Sequence, residues 1–213
     1  RSDFIEKINK FFLHFEKQIK QTFSNLELFN IFKSNKLLLL FLYEHKFITS
    51  NEYIVDSIMS KSDKNFDTFF YPEIQSQLSQ VDKSSIECKF GPTNYTDDKF
   101  NENRHNGQNE SYVCTLIRQD SVEEFISYAT KNNLSLSNSI RPSLFESNSI
   151  LEGQNLTLIE YAAFYGSIQI FQYLLNNHVN LSESLWIYSI HSRNPELIQI
   201  LEQNGVVPSD RTY

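Results

Sequence analysis

The chain has 213 residues, with 19 Lys and Arg against 26 Asp and Glu and a net charge of −7. That balance, with no basic patch, argues against general nucleic-acid binding, since phosphate backbones need clustered cations. The longest apolar run, Leu37 to Leu42, is six residues, too short to cross a membrane.

Two cysteines, Cys88 and Cys114, are too few for a disulfide framework, and a reducing cytosol is expected, with the nucleus as the other compartment. The five Asn-x-Ser/Thr sequons are a number that a chain this rich in Asn and Ser reaches by chance. The first residue is Arg1 rather than methionine, so a trimmed or partial sequence is expected and the lack of a signal peptide carries little weight.

From the N-terminus, Phe4, Ile5, Ile8, Phe11, Phe12, Phe15, Ile19 and Phe23 step by three and four, which predicts one amphipathic helix over 4–23. Lys7, Lys10, Lys17 and Lys20 among its polar positions would suit a membrane-surface or partner helix. A core helix is the reading adopted. Helices are also expected over Leu26–Phe32 and Lys36–Lys46, and Thr49-Ser50-Asn51-Glu52 matches a capping box that starts a helix running through Met59. Phe66, Phe69, Phe70 and Tyr71 form an aromatic cluster before Pro72. It could line a ligand pocket or, as read here, pack in the core, with a short helix from Glu73 to about Ser79 behind it.

Residues 81–110 are dominated by Lys, Asp, Asn, Ser and Gly, and apolar residues lose their period. A disordered linker is expected there, because so little apolar surface does not offset the entropy of ordering it. A second interruption, roughly Ser137 to Gln154, contains Pro142 and Gly153.

Beyond it, residues 157–178 read as two short helices around Gly166, with Ile159, Ala162 and Ala163 on one face of the first and Ile168, Phe171, Leu174 and Leu175 on the second. Glycine at the turn takes positive φ without a Cβ clash, and Ser167 can cap the second helix. The unit recurs. A shift of 27 carries Ala162 to Ser189, Gly166 to Arg193, Leu174 to Leu201 and His178 to Gly205. A shift back by 46 carries Thr157 to Ser111, Gly166 to Asp120, Phe171 to Phe125 and Leu174 to Tyr128.

The stretch TLIEYAAFYGSIQIFQYLLNNHVN resembles the ankyrin repeat, matching it at Thr157, Ala162, Gly166, Leu174 and Leu175. Leu158 stands where that family has proline and Glu160 where it has histidine, departures expected to remove the first turn's usual stiffness and hydrogen bonding. The 27-residue shift leaves no room for full β-fingers. The stretch SLWIYSIHSRNPELIQILEQNGV, together with the helical N-terminal half ending in FFYPEI, resembles the uncharacterised domain family that accompanies ankyrin repeats in protozoan proteins, a resemblance that would cover nearly the whole chain and brings no activity with it.

The resemblance implies that the two positions before each turn face a partner: Phe164 and Tyr165, His191 and Ser192, and Arg118 and Gln119. Exposed Phe and Tyr there would act as binding hot spots. Trp186, aligned with Ile159, is expected in the core.

Signals for catalysis are missing: there is no phosphate loop, dinucleotide fingerprint, H-E-x-x-H or C-x-x-C, and the five histidines lack metal-like spacing. His191 beside Ser192 could be imagined as a nucleophilic pair, but a solvated helix end is the reading adopted.

The sequence therefore predicts an all-α protein in three parts: an N-terminal helical bundle over 1–80, a polar linker over 81–110, and ankyrin-like helix pairs over 111–207 (about 111–136, 157–183 and 184–207). The expected function is non-catalytic protein–protein interaction without cofactor or metal. The alternatives are a structural cap or spacer within a larger ankyrin-repeat protein and, behind that, an enzyme of unrecognised type.

Overall fold

A computed structural model describes the backbone of residues 2–61, 65–90, 95 and 97–208, and the side chains of the same residues except 2–5, 89 and 90. Its described residues are all-helical, with one isolated antiparallel bridge, Ser139 to Thr157, in place of any strand. The chain divides into two units, residues 1–108 with 143–153 and residues 109–142 with 154–213.

The first unit opens with α1 (Ser2–His14) and α2 (Glu16–Thr22). The single helix expected over 4–23 is broken at Phe15, whose φ and ψ are −104° and 22°. Adjacent helical residues point about 100° apart, so the apolar stripe divides. Phe12 and Ile19 are buried with Ile8 beside them, while Phe11, Phe15 and Phe23 are exposed. The side chains of Phe4 and Ile5 lie outside the described residues.

Helix α3 (Asn25–Phe32) is capped by Ser24 in a reciprocal exchange with Glu27, and α4 (Lys36–Glu44) by Asn35. Helix α5 (Glu52–Met59) is capped by Asn51, whose side chain accepts from the Ile54 amide at 3.0 Å, and not by Thr49. The backbone of Thr49 is already engaged by Asn25 through both amide and carbonyl, at 2.7 and 2.9 Å, which leaves the next competent side chain to start the helix.

The aromatic cluster is core, as its pattern suggests. Phe66, Phe69, Phe70 and Tyr71 are buried where two single-turn helices meet, α6 (Phe66–Phe69) and α7 (Tyr71–Ile74), with Phe70 at the junction between them. The helix expected over Glu73–Ser79 is only α7. Ser79 instead caps α8 (Gln80–Phe90), exchanging hydrogen bonds with Asp82 at 2.6 and 3.2 Å.

The linker expected over 81–110 is thus corrected at both ends. After α8 comes α9 (Asp98–Asn106), which begins at the Asp97 cap and ends at Gly107 with φ 59°. Residues 91–94 and 96 of that stretch lie outside the described residues. The surface that pays for this order is aromatic: Tyr71 meets Tyr95 at 4.4 Å, Tyr95 meets Phe100 at 5.4 Å, and Phe100 meets Phe145 at 5.5 Å. Below them Arg104 lies over the Phe69 and Phe100 rings and pairs with Glu73 at 2.6 Å.

Burial raises the Glu73 carboxyl pKa despite the neighbouring Arg104. A carboxyl with a raised folded pKa contributes stability that is present at low pH and lost as pH rises through that pKa. Since Gln does not titrate, the stability of the native chain relative to Glu73→Gln is expected to fall between pH 4 and pH 7. Urea midpoints at the two pH values check this, and a difference that grows with pH reverses the assignment.

Phe145 comes from the second interruption, of which residues 143–153 pack within the first unit and 137–142 and 154 belong to the second. Gly107 marks its docking point. A Cβ there would lie 2.5 Å from Ser147 Oγ and 2.8 Å from Leu37 Cδ2, and the Gly107 carbonyl accepts from Ser147 Oγ at 2.8 Å. The ammonium of buried Lys36 donates to the carbonyls of Leu144 and Glu146 and pairs with Glu152 at 2.7 Å.

The second unit consists of three helix pairs: α10 (Tyr112–Arg118) with α11 (Val122–Lys131), α12 (Leu158–Tyr165) with α13 (Ile168–Asn176), and α14 (Leu185–Ser192) with α15 (Pro195–Gln203). Helix α12 lies between α10 and α14, and α11 packs beside α13. The turn within each pair uses one left-handed residue, Asp120 (φ 51°), Gly166 (φ 72°) or Arg193 (φ 58°), the three positions related by the shifts of 46 and 27.

Only one of those residues is glycine, and the left-handed conformation costs other residues roughly 1–2 kcal/mol. Arg193→Gly is therefore expected to raise stability by about 1 kcal/mol. Asp120→Gly is not, because its carboxylate also receives the Gln169 and Ile170 amides at 3.0 Å each and so caps α13. Chemical denaturation of both variants tests the distinction, and an equal gain at both positions removes the capping role.

Candidate functional site

The six residues selected from sequence form two related rows. Arg118, Phe164 and His191 occupy equivalent positions in the three pairs, as do Gln119, Tyr165 and Ser192. All six stand at the ends of α10, α12 and α14.

Each helix is held there by local chemistry. Asn109 accepts from the Ser111 amide at 3.0 Å and fixes the start of α10. Thr157 and Glu160 form a full capping box on α12, so the glutamate that replaces the expected histidine restores the first turn's hydrogen bonding instead of removing it. Glu160 also receives the hydroxyls of Ser182 and Ser184 before α14. Neighbouring turns are tied as well, with Ser167 Oγ donating to the Ile117 carbonyl and Asn194 Nδ2 to the Gly166 carbonyl.

In the first row, Phe164 is 5% exposed and is not the exposed hot spot expected. His191 stacks on its ring at 4.2 Å with planes 15° apart, while Tyr165 meets its edge at 5.1 Å. The reason is the repeat itself: equivalent positions on adjacent helices are neighbours, so a large ring is covered by the side chain one pair further on. His191 remains exposed.

Half-buried Arg118 donates to the Tyr161 hydroxyl and to the Asn109 carbonyl, each at 2.8 Å. Burial pushes the Tyr161 hydroxyl far above its ordinary pKa, with Arg118 acting in the opposite direction. The arginine is thus partly structural, and Tyr161 extends the row through its contact with Tyr165 at 4.8 Å. Sequence reasoning misses Tyr161 because its position carries no motif.

In the second row Gln119 is exposed and Tyr165 and Ser192 are half-buried. Ser192 Oγ donates to the Ser189 carbonyl at 2.7 Å and accepts from the Asn194 amide at 3.2 Å, so its hydroxyl is engaged within its own turn. Trp186, expected in the core, is half-buried and donates Nε1–H to the Val206 carbonyl at 2.9 Å.

Among the described residues no group of three or more His, Cys, Asp or Glu is placed to hold a metal ion, and no helix is long and apolar enough to cross a membrane. A cleft of about 410 Å³ in the first unit has Leu13, Leu37, Leu40 and Phe41 among its lining. At its edge Glu44 and His105 pair with each other at 2.8 Å.

Fold and site define an all-α protein whose second unit repeats a helix pair. No family model, curated protein or solved structure matches the chain.

Proposed function

We propose that the second unit is a short ankyrin-like repeat stack and that the chain is a non-catalytic protein-interaction module of the cytosol or nucleus. The observation that carries this reading is the row of open or half-open side chains at the ends of α10, α12 and α14, Gln119 and Tyr165 from one set of equivalent positions and His191 from the other, with the buried Phe164 ring stacked against His191. Such a row offers a partner aromatic and hydrogen-bonding area on a fixed support, where little entropy remains to be lost on binding. The net charge of −7 favours a protein partner over nucleic acid.

The burial of Phe164 favours a second reading, a cap or spacer in a larger repeat protein, because it removes the largest expected anchor. Affinity capture from native extract separates the two, comparing the unaltered chain, Gln119→Glu/His191→Glu, and Glu124→Lys on the outer helix α11, all confirmed as folded. The interaction reading expects a specific protein to be retained by the chain and by Glu124→Lys and lost with the double variant. Identical capture by all three supports the spacer reading.

A further inference from the structure

Connecting segments ordinarily run over a protein's surface, because burial leaves the polar groups of irregular backbone without partners. Residues 143–148 depart from this. Ser143, Leu144, Phe145, Glu146, Ser147 and Asn148 are all buried, polar and apolar alike, although none lies in a helix. They form the tip of an arm. Its base lies in the second unit, where the Ile140 amide donates to the Leu156 carbonyl at 2.6 Å and Ser139 bridges Thr157, while its tip, residues 143–153, belongs to the first unit. The arm accounts for the excess of the 46-residue spacing between the first two helix pairs over the 27 residues between the next two.

The tip is held as a bound peptide is held. Part of its backbone is satisfied by its own side chains: the amides of Phe145, Asn148 and Ile150 donate to Ser143 Oγ, Glu146 Oε1 and Asn148 Oδ1 at 3.0, 2.9 and 3.1 Å. Such turns are local, so the arm carries its shape with it. The rest of the first unit supplies three further groups. Lys36 Nζ donates to the Leu144 and Glu146 carbonyls at 3.2 and 3.3 Å and pairs with Glu152 at 2.7 Å. The Gly107 carbonyl accepts from the Ser147 amide and hydroxyl at 3.2 and 2.8 Å, and Phe100 meets the Phe145 ring edge-on at 5.5 Å. Together they read irregular backbone, an aromatic ring at 145 and a carboxylate seven residues on.

We propose that Lys36, Phe100 and Gly107 form a peptide-recognition socket in the first unit, and that residues 143–153 occupy it as a displaceable internal ligand. The external ligand is an acidic peptide that presents an aromatic ring and a carboxylate at the same spacing. The chemistry of Lys36 favours exchange over release, since an empty socket strands a buried ammonium, whereas a peptide with its own carboxylate restores the pair. The same requirement excludes neutral peptides. Because the arm is tethered, it competes at an effective concentration on the order of millimolar, which closes the socket to weak ligands until the arm is loosened. The socket is separate from the row on the second unit and does not rest on the reading given to that row.

Fluorescence anisotropy with a labelled peptide of the sequence of residues 141–155 tests the socket on the whole 213-residue chain. Phe145→Ala weakens the arm's grip and leaves Lys36 paired; with its fold confirmed by circular dichroism, it is expected to bind the peptide saturably and roughly tenfold more tightly than the native chain does. Peptides carrying Phe145→Ala or Glu152→Gln, controls that alter no folded protein, are expected to bind that variant roughly tenfold more weakly. A second test needs no substitution in the chain. Millimolar native peptide is expected to strip hydrogen-exchange protection from the Ser147 amide of the isotope-labelled native chain, and the Glu152→Gln peptide to leave it protected. The proposal is overturned if the native peptide fails to bind the folded variant, if the substituted peptides bind equally well, or if Ser147 stays protected at millimolar native peptide.

Discussion

Lys36→Met is expected to destabilise the first unit by about 3–5 kcal/mol, the loss typical of removing one partner from a buried charge pair. The Lys36 side chain is 2% exposed and that of Glu152 is 10% exposed, so the substitution strands a carboxylate with little access to water. It also removes the donor from the Leu144 and Glu146 carbonyls. Methionine nearly matches the lysine in length and keeps contact with the Phe66 and Phe69 rings, over which the ammonium lies at 5.3 and 5.4 Å. The effect is therefore one of charge and hydrogen bonding more than of volume. By contrast Lys20→Met, which breaks the half-exposed pair with Glu16, should cost no more than about 1 kcal/mol. Hydrogen exchange provides the readout, with the amides of Ser147, Asn148 and Leu151 losing protection in Lys36→Met. Unchanged protection together with an unmoved urea midpoint would show that the lysine does not hold this segment.

Ala162→Leu is expected to destabilise the second unit by overpacking. Ala162 is fully buried on α12, the helix that lies between α10 and α14. Leucine adds three carbons where helices approach closely, and overpacking of this kind costs about 1–3 kcal/mol. For a unit of this size that corresponds to a fall in melting temperature of roughly 5–15 °C. The equivalent position one pair on is Ser189, also fully buried, with a hydroxyl that has no hydrogen-bond partner. Ser189→Ala should therefore be neutral or stabilising. If Ala162→Leu leaves the melting temperature unchanged, α12 is not packed as tightly as the structure has it.

The helices and their pairing are legible in the sequence because they rest on local signals. The three-and-four spacing of Phe171, Leu174 and Leu175, the glycine at 166, and the turn equivalence of 120, 166 and 193 all survive without tertiary information. The order within 81–110 is hidden for the opposite reason. Helix α8 has only Ile86 fully buried among its described side chains, so periodicity gives no warning of it, and α9 is strongly polar. Their caps are nevertheless present in the sequence: Ser79 three residues before Asp82, and Asp97 and Gly107 bracketing the residues between them. What no local pattern contains is the return of 143–153 to the first unit, since it depends on Lys36 meeting carbonyls more than a hundred residues away. The burial of Phe164 is hidden similarly, because it requires the position of His191 on the next pair.

That last contact carries the central claim, that the candidate surface is one continuous row built across successive helix pairs. It is tested most directly by a double-mutant cycle on stability with Phe164→Leu, His191→Ala and the combined variant. A stacked pair predicts non-additivity, with a coupling of about 0.5–1.5 kcal/mol. Strict additivity would mean that the two rings do not meet, and that the row is not continuous from one pair to the next.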